Sequence, residues 1–276
     1  MTQSPEPVDT ERRFGGLARL YGNDAPQALR QAHVAVAGLG GVGSWCAEAL
    51  ARCGVGALTL IDLDHIAESN VNRQLHALTD TLGQAKVQAM ADRIQGINPQ
   101  CRLTQVDDFV SPENVSDIFP EDIDFIIDCT DQVAAKLAMI LEARRRKVGV
   151  VVCGGAGGKT AVTALKASDL SLTQNDALLA KVRNTLRRQH GFPRASGQPG
   201  KVRQRVPKMG VRAVWFDQQA VLPSQWAGAE TSVDAASAAP QGLSCAGYGS
   251  VVMVTATMGM AAASEATQWL LTRRFP

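Results

Sequence analysis

The segment Gly38-Leu39-Gly40-Gly41-Val42-Gly43 follows an apolar run and precedes an amphipathic one. Glycines at that spacing allow a tight turn and a close backbone approach to phosphate, and the N-terminus of the following helix attracts the anion. Asp62 lies 19 residues past Gly43, at the end of the next apolar run. A carboxylate there can accept both hydroxyls of a ribose. This pattern by itself marks a nucleotide site without naming the nucleotide. The residues further along decide it: Arg73 and Lys86 bring two cations, and Asp128 and Asp131 bring two acids. Hydride transfer asks for an apolar slot for nicotinamide and few phosphate-neutralising cations. Cations that stabilise a triphosphate, with an acid able to hold Mg²⁺, suit phosphoanhydride chemistry on ATP instead.

Such residues need a scaffold that gathers strand ends. Short apolar runs at 33–39, 57–62, 124–129 and 148–153 read as buried strands, and 102–106 reads as a further strand between the second and fourth. Helical spacing at 44–53, 84–97 and 133–147 alternates with them. The expected fold class is therefore α/β: a Rossmann-like, mainly parallel sheet flanked by helices. Residues 12–32 read as a helical lead-in interrupted at Pro26, after a disordered tail at 1–11. Residues 12–165 form the expected nucleotide-binding core. Past Gly158 the pattern changes. A strand is expected at 160–166, an amphipathic helix at 176–190, a loop at 191–210, a strand at 211–216, a loop at 224–242 and a last helix at 249–271. Residues 166–276 thus read as a C-terminal extension of antiparallel strands with a basic helix and loop, a substrate-binding region within the same compact domain.

The net charge of +2 over 276 residues conceals an asymmetry. Residues 1–150 carry 14 Lys and Arg against 20 Asp and Glu, and residues 151–276 carry 14 against 6. Residues 181–212 hold ten basic residues and no acid. A long acid-free basic run is the footprint expected of a phosphate-backbone contact, and it nominates Arg183, Arg187, Arg188, Lys201, Arg203, Arg205 and Lys208 for RNA. The six cysteines are scattered without a CxxC pair, so no structural zinc is expected and the thiols read as reduced, in a cytoplasmic protein without a secretory signal. The uncharged Ala-rich stretch up to Ser264 reads as a buried helix, although its hydropathy approaches that of a membrane span. Cys153 to Thr160 nearly matches a P-loop but begins with Cys and runs into a strand pattern, which rejects it. Cys245 reads as a structural thiol, and Trp215 and Trp226 as core residues.

Taken together, GLGGVG at 38–43, D-x-D at 62–64, S-N-x-x-R-Q at 69–74, G-x-x-K at 83–86, I-N-P at 97–99 and D-C-T-D at 128–131 resemble the ubiquitin-activating-like superfamily of adenylating enzymes. The resemblance implies that Gly38, Gly40, Gly41, Gly43, Asp62, Asp64, Asn70, Arg73, Lys86 and Asp128 surround the nucleotide. It implies that Asp62 binds ribose, that Asn70, Arg73 and Lys86 contact phosphates, and that Asp131 supports Mg²⁺. An N-terminal arginine completes such sites, often from the other subunit of a homodimer; Arg13 and Arg19 are both candidates. The missing CxxC pairs, the run from Arg13 to Gly22, Gly154 to Gly158 and the run from Cys245 to Gly259 look like the tRNA threonylcarbamoyladenosine dehydratases. That resemblance implies adenylation of a threonyl carboxylate on modified tRNA, followed by ring closure with loss of water. Adenylation of a ubiquitin-like sulfur carrier is the alternative within the superfamily. An NAD-dependent oxidoreductase or a non-catalytic nucleotide sensor is the alternative outside it. Docking of a sulfur-transfer protein is left open by the sequence.

Overall fold

The computed structural model describes residues 8–194, 206–221 and 248–273. The chain enters through three short helices, α1 (Thr10–Phe14), α2 (Gly16–Tyr21) and α3 (Ala25–Gln31). Residues 10 and 11, expected within the tail, are helical: the Asp9 carboxylate accepts from the Arg12 amide at 2.9 Å and caps α1. Residues 1–7 lie outside the described residues. Pro26 does not interrupt a helix. It sits in the first turn of α3, where its missing N–H has no partner to lose.

The remaining elements are β1 (His33–Ala37), α4 (Gly43–Arg52), β2 (Ala57–Ile61), α5 (Lys86–Ile97), β3 (Arg102–Val106), α6 (Val115–Ile118), β4 (Phe125–Asp128), α7 (Val133–Arg146), β5 (Gly149–Cys153), β6 (Leu165–Asp169), α8 (Ala177–Gln189), β7 (Arg212–Phe216) and α9 (Val252–Thr272). One sheet takes all seven strands in the order β3-β2-β1-β4-β5-β7-β6. Strands β1, β2, β4 and β5 are buried along their whole length. They read as continuous apolar runs because helices cover both faces. Leu50 of α4, Met90 and Ile94 of α5 and Met258 of α9 fill one face. Met139 and Ile140 of α7 with Leu179 and Val182 of α8 fill the other. The close contact of α9 with the start of α4 requires Gly259, since a methyl there would overlap the Val42 carbonyl oxygen.

The C-terminal strands correct the expectation. β7 runs parallel to β5, with Val152 opposite Ala213, and only the β6–β7 pair is antiparallel. β6 also starts later than its alternating pattern suggests. The Gln218 side-chain oxygen accepts from the amides of Thr160 and Ala161 at 3.0 and 2.9 Å, which holds that stretch in a turn. Among the described residues no helix is long and apolar enough to cross a membrane. Glu265, within α9, pairs instead with Arg212 of β7 at 2.7 Å. With β1 flanked by β2 and β4, the strand order reverses beside β1, and a crevice opens beyond the carboxyl ends of those strands.

Candidate active site

That crevice is a cavity of about 650 Å³, the size of a nucleotide-scale ligand site. Gly38, Gly40, Gly41 and Val42 form its floor where the chain passes from β1 into α4. Gly43 does not line the cavity. Its role is packing, because a methyl at that position would overlap the Gly38 carbonyl oxygen and the turn would not close. The turn that leads into the N-terminus of α4 thereby opens onto the cavity, an arrangement that favours anions.

Asp62, just past β2, stands on one wall. One carboxylate oxygen accepts from the Leu39 amide at 2.6 Å and the other from the Asp64 amide at 2.9 Å. These bonds fix its orientation and leave lone pairs for ribose hydroxyls. Lys86, the first residue of α5, is only 5% exposed. Its ammonium lies 2.7 Å from Asp64 and 3.5 Å from Asp62. The Asp64 side chain is 74% exposed, so a phosphate entering the cavity meets a cation whose present partner is easily solvated. Arg73 lines the same wall, its guanidinium donating to the Ser69 carbonyl at 2.7 Å and to Asn72 at 3.0 Å. Its own carbonyl is fixed by the Trp45 indole at 3.1 Å. Asn70 lines the cavity while its side-chain oxygen accepts from the Ala67 amide at 3.0 Å. Asp131 lines the opposite wall, exposed, and makes no ion pair among the described residues.

Several expected site residues stand elsewhere. Asp128 is fully buried beneath the cavity. It accepts from the Thr130 amide at 3.0 Å and hydroxyl at 2.7 Å, and pairs with the fully buried Lys136 at 3.2 Å. Burial pushes the Asp128 carboxyl up, against the pull of Lys136 and Thr130. Lys136 also donates to the Cys153 carbonyl at 2.8 Å, tying β4, β5 and α7 together. Asp128 thus supports Thr130 and Asp131 from below rather than touching a ligand in the cavity. Arg13 donates to the Ile97 carbonyl at 2.8 Å, at the end of α5 remote from Lys86. Arg19 is exposed on α2, and neither arginine lines the cavity. Arg183 is pinned to the Thr173 carbonyl and hydroxyl at 2.7 and 2.6 Å, and half-buried Arg187 to the Pro193 carbonyl at 3.1 Å. Arg188 and Lys208 are exposed. Lys201, Arg203, Arg205, Trp226 and Cys245 lie outside the described residues. Trp215 is core, and Lys159 is buried with its ammonium on the carbonyls of Asn175 and Gln218 and is followed by a single 3-10 turn and a strand, unlike a P-loop lysine.

The cavity also contains residues that sequence patterns passed over. Asp108 and exposed Phe109, just past β3, form a wall beside Asp62. Their position past a strand end, at the rim of the crevice, is the signal that marks them. Gln74 is buried against Gly40, its side-chain oxygen without a hydrogen-bond partner among the described residues. Cation, carboxylate and helix terminus therefore converge on one cavity of nucleotide size.

The model of the ThiF family matches residues 14–275. A tRNA threonylcarbamoyladenosine dehydratase of Haemophilus influenzae is 43% identical over 265 residues, covering 96% of this chain and 95% of the relative. The crystal structure of the E. coli tRNA N6-threonylcarbamoyladenosine dehydratase in complex with ATP superposes with a TM-score of 0.80 at 41% identity, covering 96% of this chain and 97% of that one. The same enzyme in complex with AMP gives a TM-score of 0.80 and covers 98% and 99%. The chain belongs to the ThiF family, and within it to the tRNA threonylcarbamoyladenosine dehydratases.

Proposed function

We propose that this chain uses ATP to close the threonylcarbamoyl group of N6-threonylcarbamoyladenosine in tRNA into a ring, with net loss of one water. The carboxylate oxygen of the threonyl group attacks the α-phosphorus of ATP and pyrophosphate leaves, giving an acyl-adenylate. The adjacent carbamoyl group then attacks the activated carbonyl, its proton departs, and AMP leaves with the oxygen that the carboxylate supplied. The observation that carries this reading is the convergence of Lys86 and Arg73 on the cavity that holds the glycine turn and Asp62, in a chain alike almost end to end to a dehydratase crystallised with ATP and with AMP.

Asp62 takes the ribose hydroxyls. The α4 terminus, Lys86, Arg73 and Asn70 take the phosphates and stabilise the charge that develops as pyrophosphate leaves. Asp131, an exposed carboxylate without a cationic partner among the described residues, offers hard oxygen ligands suited to Mg²⁺ beside the polyphosphate. Bound Mg²⁺ would neutralise phosphate charge there. Because Arg13 and Arg19 stand away from the cavity of their own chain, a second copy in a homodimer supplies the N-terminal arginine. Arg188 and Lys208 belong to the tRNA contact.

Incubation with ATP, Mg²⁺ and threonylcarbamoylated tRNA tests the reading. Nucleoside mass spectrometry is expected to show the modified adenosine lighter by one water, with AMP and pyrophosphate formed in step. An unchanged nucleoside under conditions where ATP binds would overturn it.

A further inference from the structure

Among the described residues, the basic side chains of the C-terminal half do not ring the cavity. α8 starts at its rim: Leu178 lines the cavity, and Asp176, the N-cap, accepts from the Gly155 amide at 2.9 Å. From there the helix runs the length of the sheet, about 20 Å for its 13 residues at about 1.5 Å each. Lys181, Asn184 and Arg188 are exposed at spacings of three and four, one stripe along its outer side. Beyond its end Arg194 folds back, its Nε donating to the Arg187 carbonyl at 2.9 Å. α7 ends in the same place, with the Arg144 guanidinium stacked 4.8 Å over the Phe192 ring and Lys147 exposed one turn on.

Lys181, Arg188, Arg194, Arg144 and Lys147 make no ion pair among the described residues, whereas Arg93, Arg102, Lys166 and Arg212 elsewhere each hold a carboxylate. The acid nearest Arg144 and Lys147 in sequence, Glu142, is already committed to Arg145 and Arg146, and Asp176, nearest Lys181, accepts from the amides of Gly155 and Leu179. A cluster of unpaired cations costs mutual repulsion in the free protein and is relieved by a polyanion, which releases its counterions on binding. Stacking on Phe192 holds Arg144 in place while leaving the edge of its guanidinium free to donate.

We infer that the outer stripe of α8 and the basic cluster where α7 and α8 end form a track for the phosphate backbone of the tRNA. The track leads away from the cavity, so that the modified base enters at one end while the adjoining helical stem lies along the other. The inference rests on tRNA being the substrate and adds which surface carries the stem. It also reassigns the contact. The exposed Lys181, Arg144 and Lys147 take part, and the pinned Arg183 and Arg187 shape the surface without reaching RNA.

The test is a triple variant, Lys181→Ser, Arg188→Ser and Arg144→Ser, assayed in the full chain with threonylcarbamoylated tRNA. The KM for tRNA is expected to rise about tenfold or more near 0.1 M salt, and the slope of log Kd against log salt to flatten by about two. ATP affinity is expected to stay within twofold of wild type, and Arg188→Lys with Arg144→Lys to retain most of the binding. Arg30→Ser, which removes an exposed charge on α3, is expected to behave as wild type. A triple variant with wild-type KM and salt slope would overturn the track while leaving the tRNA substrate standing. An equal loss in Arg30→Ser would overturn it too, by assigning the effect to net charge. A wild-type chain that neither binds nor converts tRNA would overturn both readings.

Discussion

Lys86 is buried between two carboxylates yet faces a cavity of nucleotide size. Its nearer partner, Asp64, is largely exposed, and in the proposed reaction phosphate takes the place of Asp64. Lys86→Ala and Arg73→Ala are each expected to lower kcat by about 10²–10³, the usual cost of removing a group that stabilises developing charge. ATP–pyrophosphate exchange in the presence of tRNA measures it, and a loss under about threefold in both would refute their roles. Lys136 makes the opposite case. Lys136→Met leaves Asp128 buried and uncompensated, and is expected to cost about 3–5 kcal/mol of unfolding free energy, part of which Asp128→Asn restores in the double variant. Urea denaturation reads both; equal stabilities for the single variant and wild type would contradict it. Arg73 and Lys86 were legible in the sequence because they sit in spaced motifs after a strand. Lys136 was not. A lysine among Ala, Leu and Met of a helix gives the same pattern whether it meets solvent or a carboxylate, and only the pairing of β4 with β5 reveals which.

At the scale of elements, β1, β2, β4 and β5 with α4, α5 and α7 follow from their apolar patterns, with boundaries displaced by a residue or two; α6 is a single turn too short to leave a periodic signal, and β3 carries only two apolar residues. The C-terminal third was harder. β7 joins the parallel set through α8, a crossover that no local pattern distinguishes from an antiparallel return. β6 slid along the chain because a distant side chain, Gln218, holds the residues before it. The terminus of α7 carries a testable device. Glu142 bonds Arg145 and Arg146, which hold its carboxyl down at about 2 against an ordinary value of 4.5. A depressed carboxylate stabilises the fold above its unfolded pKa and loses that contribution as pH falls toward the folded value. Stability is therefore expected to decline between about pH 4.5 and 2 in wild type, and Glu142→Gln to be weaker at neutral pH and flatter across that window. Urea midpoints against pH measure it; identical profiles would contradict the assignment.

At the scale of the molecule, chemistry and charge occupy different places. The cavity opens past the carboxyl ends of the strands, the unpaired cations gather where α7 and α8 end, and Arg13 stands at the remote end of α5. The sequence brought Arg13 and Arg19 to the site by resemblance, and a single chain does not bring them there. If a second copy supplies the arginine, mixing a Lys86→Ala chain with an Arg13→Ala, Arg19→Ala chain is expected to restore turnover that neither has alone. No recovery after subunit exchange would mean each cavity works without its neighbour. In the proposed reaction the cavity makes a mixed anhydride of the substrate carboxylate with AMP. Labelling the threonyl carboxylate with ¹⁸O tests it most directly. One labelled oxygen is expected in the AMP released, and unlabelled AMP, or ADP with labelled inorganic phosphate, would contradict the account.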